Sequence, residues 1–82
     1  MRIDLLLYRL RFARSRSVAK ALVEAGHIRR NGNRIERACQ PVETGDVLTL
    51  PIGKSVCIAR IETLPERRGP AVEAQLCYQR LD

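Results

Sequence analysis

The sequence predicts a small α+β domain with two N-terminal helices, a small antiparallel sheet containing a β-hairpin, and a C-terminal helix. Three observations predict it. Val18, Ala19, Leu22 and Val23 recur at helical spacing between Ser15 and Gly26. Asn31-Gly32-Asn33 stands between two short segments as a hairpin signal. Downstream, Val47-Leu48-Thr49-Leu50 and Ser55 to Leu64 alternate as strands do.

The first helix is expected over Ile3–Leu10, opened by Arg2 and Asp4, the acid suiting the positive end of the helix dipole. Leu5, Leu6 and Leu7 are too continuous to assign one buried face. Ser15 is a good N-cap for a second helix from Arg16 to about Ala25, and Gly26 is the expected left-handed residue past its end. Strands at His27–Arg30 and Arg34–Arg37 flank the hairpin turn. Thr44-Gly45-Asp46 is a second turn, and Pro51 to Lys54 a third. In the strand from Ser55 to Leu64, Val56 and Ile58 share one face while Cys57, Ala59 and Ile61 share the other. Pro65 to Gly69 is a charged loop. Pro70 then opens a last helix to about Arg80, with Val72 and Leu76 stacked at i, i+4. At 82 residues this is a single domain, residues 1–82.

Apolar residues make up 45%, an ordinary globular share, so intrinsic disorder is not expected. The longest early apolar run, Leu5-Leu6-Leu7-Tyr8, is too short for a membrane or secretory segment, and the expectation is a cytoplasmic protein. Cys39, Cys57 and Cys77 are far apart, and His27 is the only histidine, so neither a metal site nor a thiol active site is expected, and no cofactor. No paired carboxylates at usable spacing and no nucleophile–base set are present, which argues against an enzyme.

The net charge of +6 is unevenly spread. Residues 1–37 hold ten Lys or Arg against three acids, whereas residues 38–82 hold five against six. Such one-sided charge is the electrostatic footprint of a polyanion partner. Arg14, Arg16 and Ser17 surround the start of the second helix, where free backbone N–H groups already favour an anion. Lys20 lies one turn on from Arg16. Arg9 and Arg11 close the first helix, and His27, Arg29 and the Asn31-Gly32 turn bring the hairpin alongside. The expected surface is a helix start plus a hairpin, fit to grip phosphates. The second helix carries little that could read a base edge, and only three aromatic residues exist, so backbone and shape recognition of structured RNA is favoured over sequence-specific DNA.

Several of these residues resemble one family. Arg2-Ile3-Asp4, Ser15-Arg16-Ser17 with Ala19, Glu24-Ala25-Gly26-His27-Ile28, Asn31-Gly32, and Val42 with Gly45-Asp46-Val47-Leu48 are similar to the alpha-L RNA-binding motif, named for its occurrence in small-subunit ribosomal protein four. The match runs in order over residues 2–50, leaving 51–82 as strand, loop and last helix. The tail from Leu64 to Ala74 resembles the bacterial ribosome-associated heat-shock protein fifteen family. The resemblance implies a non-enzymatic RNA-binding protein. That family associates with free large ribosomal subunits carrying a stalled nascent chain on tRNA and helps to recycle or rescue them; a related short family acts in ribosome quality control. The implied partners are ribosomal RNA, the large subunit and peptidyl-tRNA; separately from the resemblance, a monomer is expected. Carried over by position, the RNA-binding residues are Arg2, Arg9, Arg11, Arg14, Arg16, Ser17, Lys20, His27, Arg29, Asn31 and Arg34.

Two departures stand out. Arg30 occupies a position where the motif more often has an apolar strand residue, and the chain ends at Asp82 without the longer basic extension of better-known members. Two other functions stay open: the RNA-binding module of a modification system such as a pseudouridine synthase, and a DNA-binding regulator. The start at Met1 and the lack of an appended catalytic domain argue against the first. The second would show sequence-dependent affinity and dimerise.

Overall fold

A computed structural model describes all 82 residues. The elements run α1 (Ile3–Arg9), α2 (Arg16–Glu24), β1 (Arg29–Arg30), β2 (Asn33–Arg34), β3 (Val47–Ile52), β4 (Ser55–Ile61), α3 (Ala71–Gln75) and β5 (Tyr78–Arg80). The strands form one antiparallel sheet in the order β2-β1-β3-β4-β5. The expected α+β architecture is present. No helix is long and apolar enough to cross a membrane.

Packing against the rest of the molecule resolves the face of α1 that the leucine run left open. Ile3, Leu6, Leu7 and Leu10 are buried at helical spacing, while Leu5 stays at the margin. They meet Ala19 and Val23 of α2 and Ile28, Val42, Leu48, Leu50 and Ile61 in one core. On β4, Cys57, Ala59 and Ile61 are the buried face, as the alternation implied.

Both α1 and α2 end in the same double-bonded turn. After α2, Gly26 adopts φ +80°, its N–H bonds to Val23 O at 2.9 Å, and the His27 N–H reaches Leu22 O at 3.3 Å. After α1 the left-handed position is Arg11, at φ +67°, with bonds from Arg11 N to Tyr8 O (3.1 Å) and from Phe12 N to Leu7 O (2.9 Å).

The hairpin is shorter than expected. Arg30 pairs with Asn33, so the turn is the two residues Asn31 and Gly32, both at positive φ, and β2 covers only Asn33 and Arg34. Ile35 then leaves the hairpin edge for the core. His27 precedes β1 rather than starting it.

The C-terminal region corrects the expected long helix. α3 stops at Gln75, and Tyr78–Arg80 instead forms β5, an edge strand paired with Ala59–Ile61 of β4. Val72 and Leu76, expected as an apolar stack, are 72% and 77% exposed; Ala74 is the residue the helix buries. Without β5 one edge of β4 would be unpaired, and the backbone groups of residues 78–80 satisfy that edge better in extended form than an exposed helix end could.

Candidate nucleic-acid interface

α2 begins with a cation. Ser15 caps it, its Oγ accepting from the Val18 N–H at 3.1 Å, which leaves the N–H groups of Arg16 and Ser17 without intrahelical partners. Acids favour a first helical turn, yet α2 has none there. Arg16 and Ser17 are exposed, and Lys20 follows on the same exposed face. An anion bound here would relieve the repulsion between the Arg16 guanidinium and the positive helix end.

Asp4 holds this arrangement together. Its side chain is only 5% exposed, yet it accepts two hydrogen bonds from Arg2 (Nε and Nη2, both 3.1 Å) and one from Arg16 Nη2 at 3.4 Å. Both guanidinium groups remain about half exposed, 52% for Arg2 and 51% for Arg16, so each is anchored on one side and open on the other. Burial works to raise the Asp4 pKa. The Arg2 and Leu5 hydrogen bonds and the charges of Arg2 and Arg16 outweigh it and hold the carboxyl below its ordinary value. The helix-start acid of the sequence is therefore also the group that orients two arginines.

Arg2 and Lys20 also line a shallow groove of about 290 Å3 with Arg37, Glu36 and Cys39. The antiparallel bridge between Arg2 and Pro41 brings the 36–41 segment to the start of α1. Arg37, a cation that sequence reading left out of the site, is exposed and carries no ion pair. The only signal for it was the run of basic residues that it ends.

A second buried acid fixes the hairpin. Asp46 accepts from Arg30 Nε at 2.6 Å, from Asn31 Nδ2 at 3.1 Å and from the Glu43 N–H at 2.8 Å. Here too burial opposes ionisation, and the Glu43, Arg30 and Asn31 hydrogen bonds prevail to keep the pKa low. Asn31 turns its other amide atom to β3, Oδ1 accepting from the Val47 N–H at 2.9 Å. Both polar ends of Asn31 thus pin the turn, and Arg30 is an inward strut where the motif more often has an apolar residue. In the sequence Asp46 stood out as part of a turn and of the motif run Gly45-Asp46-Val47-Leu48, but nothing there paired it with Arg30.

With the turn pinned, Arg29 and Arg34 project from β1 and β2, both exposed and without acidic partners. Arg34 lies over Gly26, so close that a Cβ there would sit 3.3 Å from Arg34 Cδ. His27 is exposed beside it. Arg14 is exposed in the loop before α2 and is likewise unpaired.

Arg9 and Arg11 lie elsewhere. α1 is seven residues and so about 10 Å long, and they stand at its far end from Arg2. Arg9 Nη1 donates to Pro65 O and Arg11 Nη1 to Gly69 O, both at 3.0 Å. Arg68 returns the contact, its Nε donating to Tyr8 O at 3.0 Å while its guanidinium lies 4.8 Å from the centre of the Tyr8 ring. These arginines tie the C-terminal loop to α1 instead of joining the α2 face.

The S4 domain model matches residues 1–48, the segment that carries α1, α2 and the hairpin. The chain belongs to the S4 domain family. Relatives of this S4 domain chain include the heat shock protein 15 homolog of Haemophilus influenzae, 38% identical over 96% of the chain and 60% of the relative. Heat shock protein 15 of Escherichia coli is 33% identical over 96% and 59%. Small ribosomal subunit protein uS4 of Kosmotoga olearia is 32% identical over 78% of the chain and 35% of that protein. The chain thus spans about 60% of the length of the heat shock protein 15 relatives. The solved structure of Vibrio cholerae heat shock protein 15, described as trimeric, superposes with a TM-score of 0.92 at 35% identity, covering 98% of this chain and 80% of that one.

Proposed function

We propose that the protein is a non-enzymatic RNA-binding factor that grips ribosomal RNA through the α2 face and the hairpin. Its target is the free large ribosomal subunit carrying a stalled nascent chain on tRNA, and its role is rescue or recycling of that particle under stress. The observation that carries the reading is the cationic start of α2. Arg16 stands at the positive helix end with no acid in the first turn, half open to solvent, and shares a buried carboxylate with Arg2. This is a site short of an anion, and Arg14, Ser17 and Lys20 extend it along one surface. The contacting residues on this reading are Arg2, Arg14, Arg16, Ser17, Lys20, His27, Arg29 and Arg34, joined by Arg37. Asn31 positions the hairpin. The names of the relatives, heat shock proteins and a ribosomal protein, support the ribosomal direction.

On this reading the monomer is the functional unit. Light scattering of the purified protein tests that directly, because the Vibrio cholerae relative is described as trimeric.

Sedimentation of the tagged protein in a cell lysate, before and after heat stress, tests the ribosomal reading. The wild type should co-migrate with free large subunits, and the Arg14→Ala/Arg16→Ala/Lys20→Ala variant should not. A wild type that stays at the top of the gradient in both conditions would remove the ribosome from the proposal.

A further inference from the structure

At the far end of α1, a second cationic cluster borders an aromatic groove. Arg9, Arg11 and Arg68 each donate to a backbone carbonyl and none forms an ion pair; the nearby Glu73 carboxylate, which lies against Gly69, pairs with Arg67 instead. Beside Arg11, a groove of about 230 Å3 runs between the end of α1, α3 and β5. Phe12 and Tyr78 line it, their ring centres 5.0 Å apart, with Ala71 and Ala74 as small neighbours. Gln75 is exposed at its edge. Its amide can both donate and accept.

The backbone at Arg11 singles out this place. The equivalent turn after α2 uses glycine, which takes the left-handed conformation freely, whereas Arg11 takes it at a cost of about 1–2 kcal/mol. A side chain kept at a strained position points to a use for that side chain. Its one hydrogen bond, to Gly69 O, occupies one of five guanidinium N–H groups.

We propose that the Phe12–Tyr78 groove rimmed by Arg11 takes one unpaired nucleotide of the bound RNA, the base seated in the groove and its phosphate on the Arg9, Arg11 and Arg68 cluster. The volume lies below the roughly 300–1,000 Å3 of sites for larger organic ligands and suits a single ring system. Aromatic side chains accept any base, the Gln75 amide can meet a base edge, and three guanidinium groups without an ion-pair partner match a phosphate. The proposal rests on the RNA-binding reading and adds a second contact to it, so that helical backbone is held at α2 and a looped-out nucleotide at the other end of α1.

The test compares binding of a fully paired RNA stem–loop with stems carrying one unpaired adenosine at successive positions, at matched salt. The best-placed bulge should bind roughly five- to 150-fold more tightly than the paired stem, the range expected for one stacked base. Arg11→Gly removes the guanidinium and its bond to Gly69 O while relieving the left-handed backbone, so it should stay folded and lose most of the preference. Phe12→Leu should also lose it. Arg16→Ala should weaken both RNAs alike and keep their ratio. Equal affinity of the wild type for bulged and paired RNA would overturn the nucleotide site and leave the α2 grip standing. An Arg11→Gly protein that is folded and keeps the full preference would overturn it too. No binding of either RNA would bring down the RNA reading itself, and the second site with it.

Discussion

Two buried aspartates do opposite-looking jobs by the same physics. Each is expensive to bury alone, and each is stabilised by cations and N–H groups that it thereby orients. Asp4 aims Arg2 and Arg16 outward at α2, while Asp46 draws Arg30 and Asn31 inward and so fixes the hairpin from which Arg29 and Arg34 project. Asp4→Asn should therefore destabilise the fold by about 1–3 kcal/mol, through imperfectly paired buried polar groups, and weaken RNA binding about as much as Arg16→Ala. Affinity unchanged per folded molecule would show that Arg16 needs no anchor. Both aspartates have pKa values depressed in the folded state, the cost of burial being outweighed by their partners. Depressed folded values give stability that is fully present above the unfolded carboxylate pKa, about 4, and that is lost as pH falls through the folded ones. Thermal unfolding should thus be nearly flat in pH from neutrality to about 4 and fall steeply below, and the fall should be shallower in Asp46→Asn.

At the scale of elements, helix ends carry most of the design. Ser15 closes the start of α2, and Ser15→Ala should cost about 1 kcal/mol in a denaturant titration while loosening the N–H groups offered to a phosphate. Gly26 matters twice, through its φ of +80° and through Arg34 lying over it. Gly26→Ala should cost about 1–2 kcal/mol for the left-handed backbone alone, and the methyl group should displace Arg34. A destabilised but fully binding Gly26→Ala protein would place Arg34 outside the interface. The end of α1 is the contrast, because its left-handed residue is an arginine whose side chain reaches Gly69 O, 58 residues away.

For the whole molecule the governing quantity is the segregation of charge. All of the excess of +6 lies in residues 1–37, and the fold keeps that segment on α1, α2 and the hairpin. If about five phosphates are neutralised, log affinity should fall with log salt at a slope near −3.5 to −4.5. The Arg14, Arg16, Lys20 variant should flatten that slope, and a flat response in the wild type would end the phosphate-grip account. Replacing Arg67, which Glu73 already pairs at 2.8 Å, should change the slope little.

The sequence by itself determined the first two helices, the stop of the second, the Asn31-Gly32 turn and the side of the molecule that is basic. Each of these depends on neighbours within about four residues: a cap, a left-handed glycine, helical spacing, a turn pair. Only the tertiary structure decided that Tyr78–Arg80 is a strand, since the edge of β4 that it satisfies is nearly twenty residues upstream. It also decided which arginines are open and which are struts. Arg9 reaches Pro65 O across 56 residues, Arg68 reaches Tyr8 O across 60, and Arg30 meets Asp46 across 16. A guanidinium looks the same in sequence whether it faces solvent or a carbonyl, and only the folded chain supplies the partner that tells the two apart.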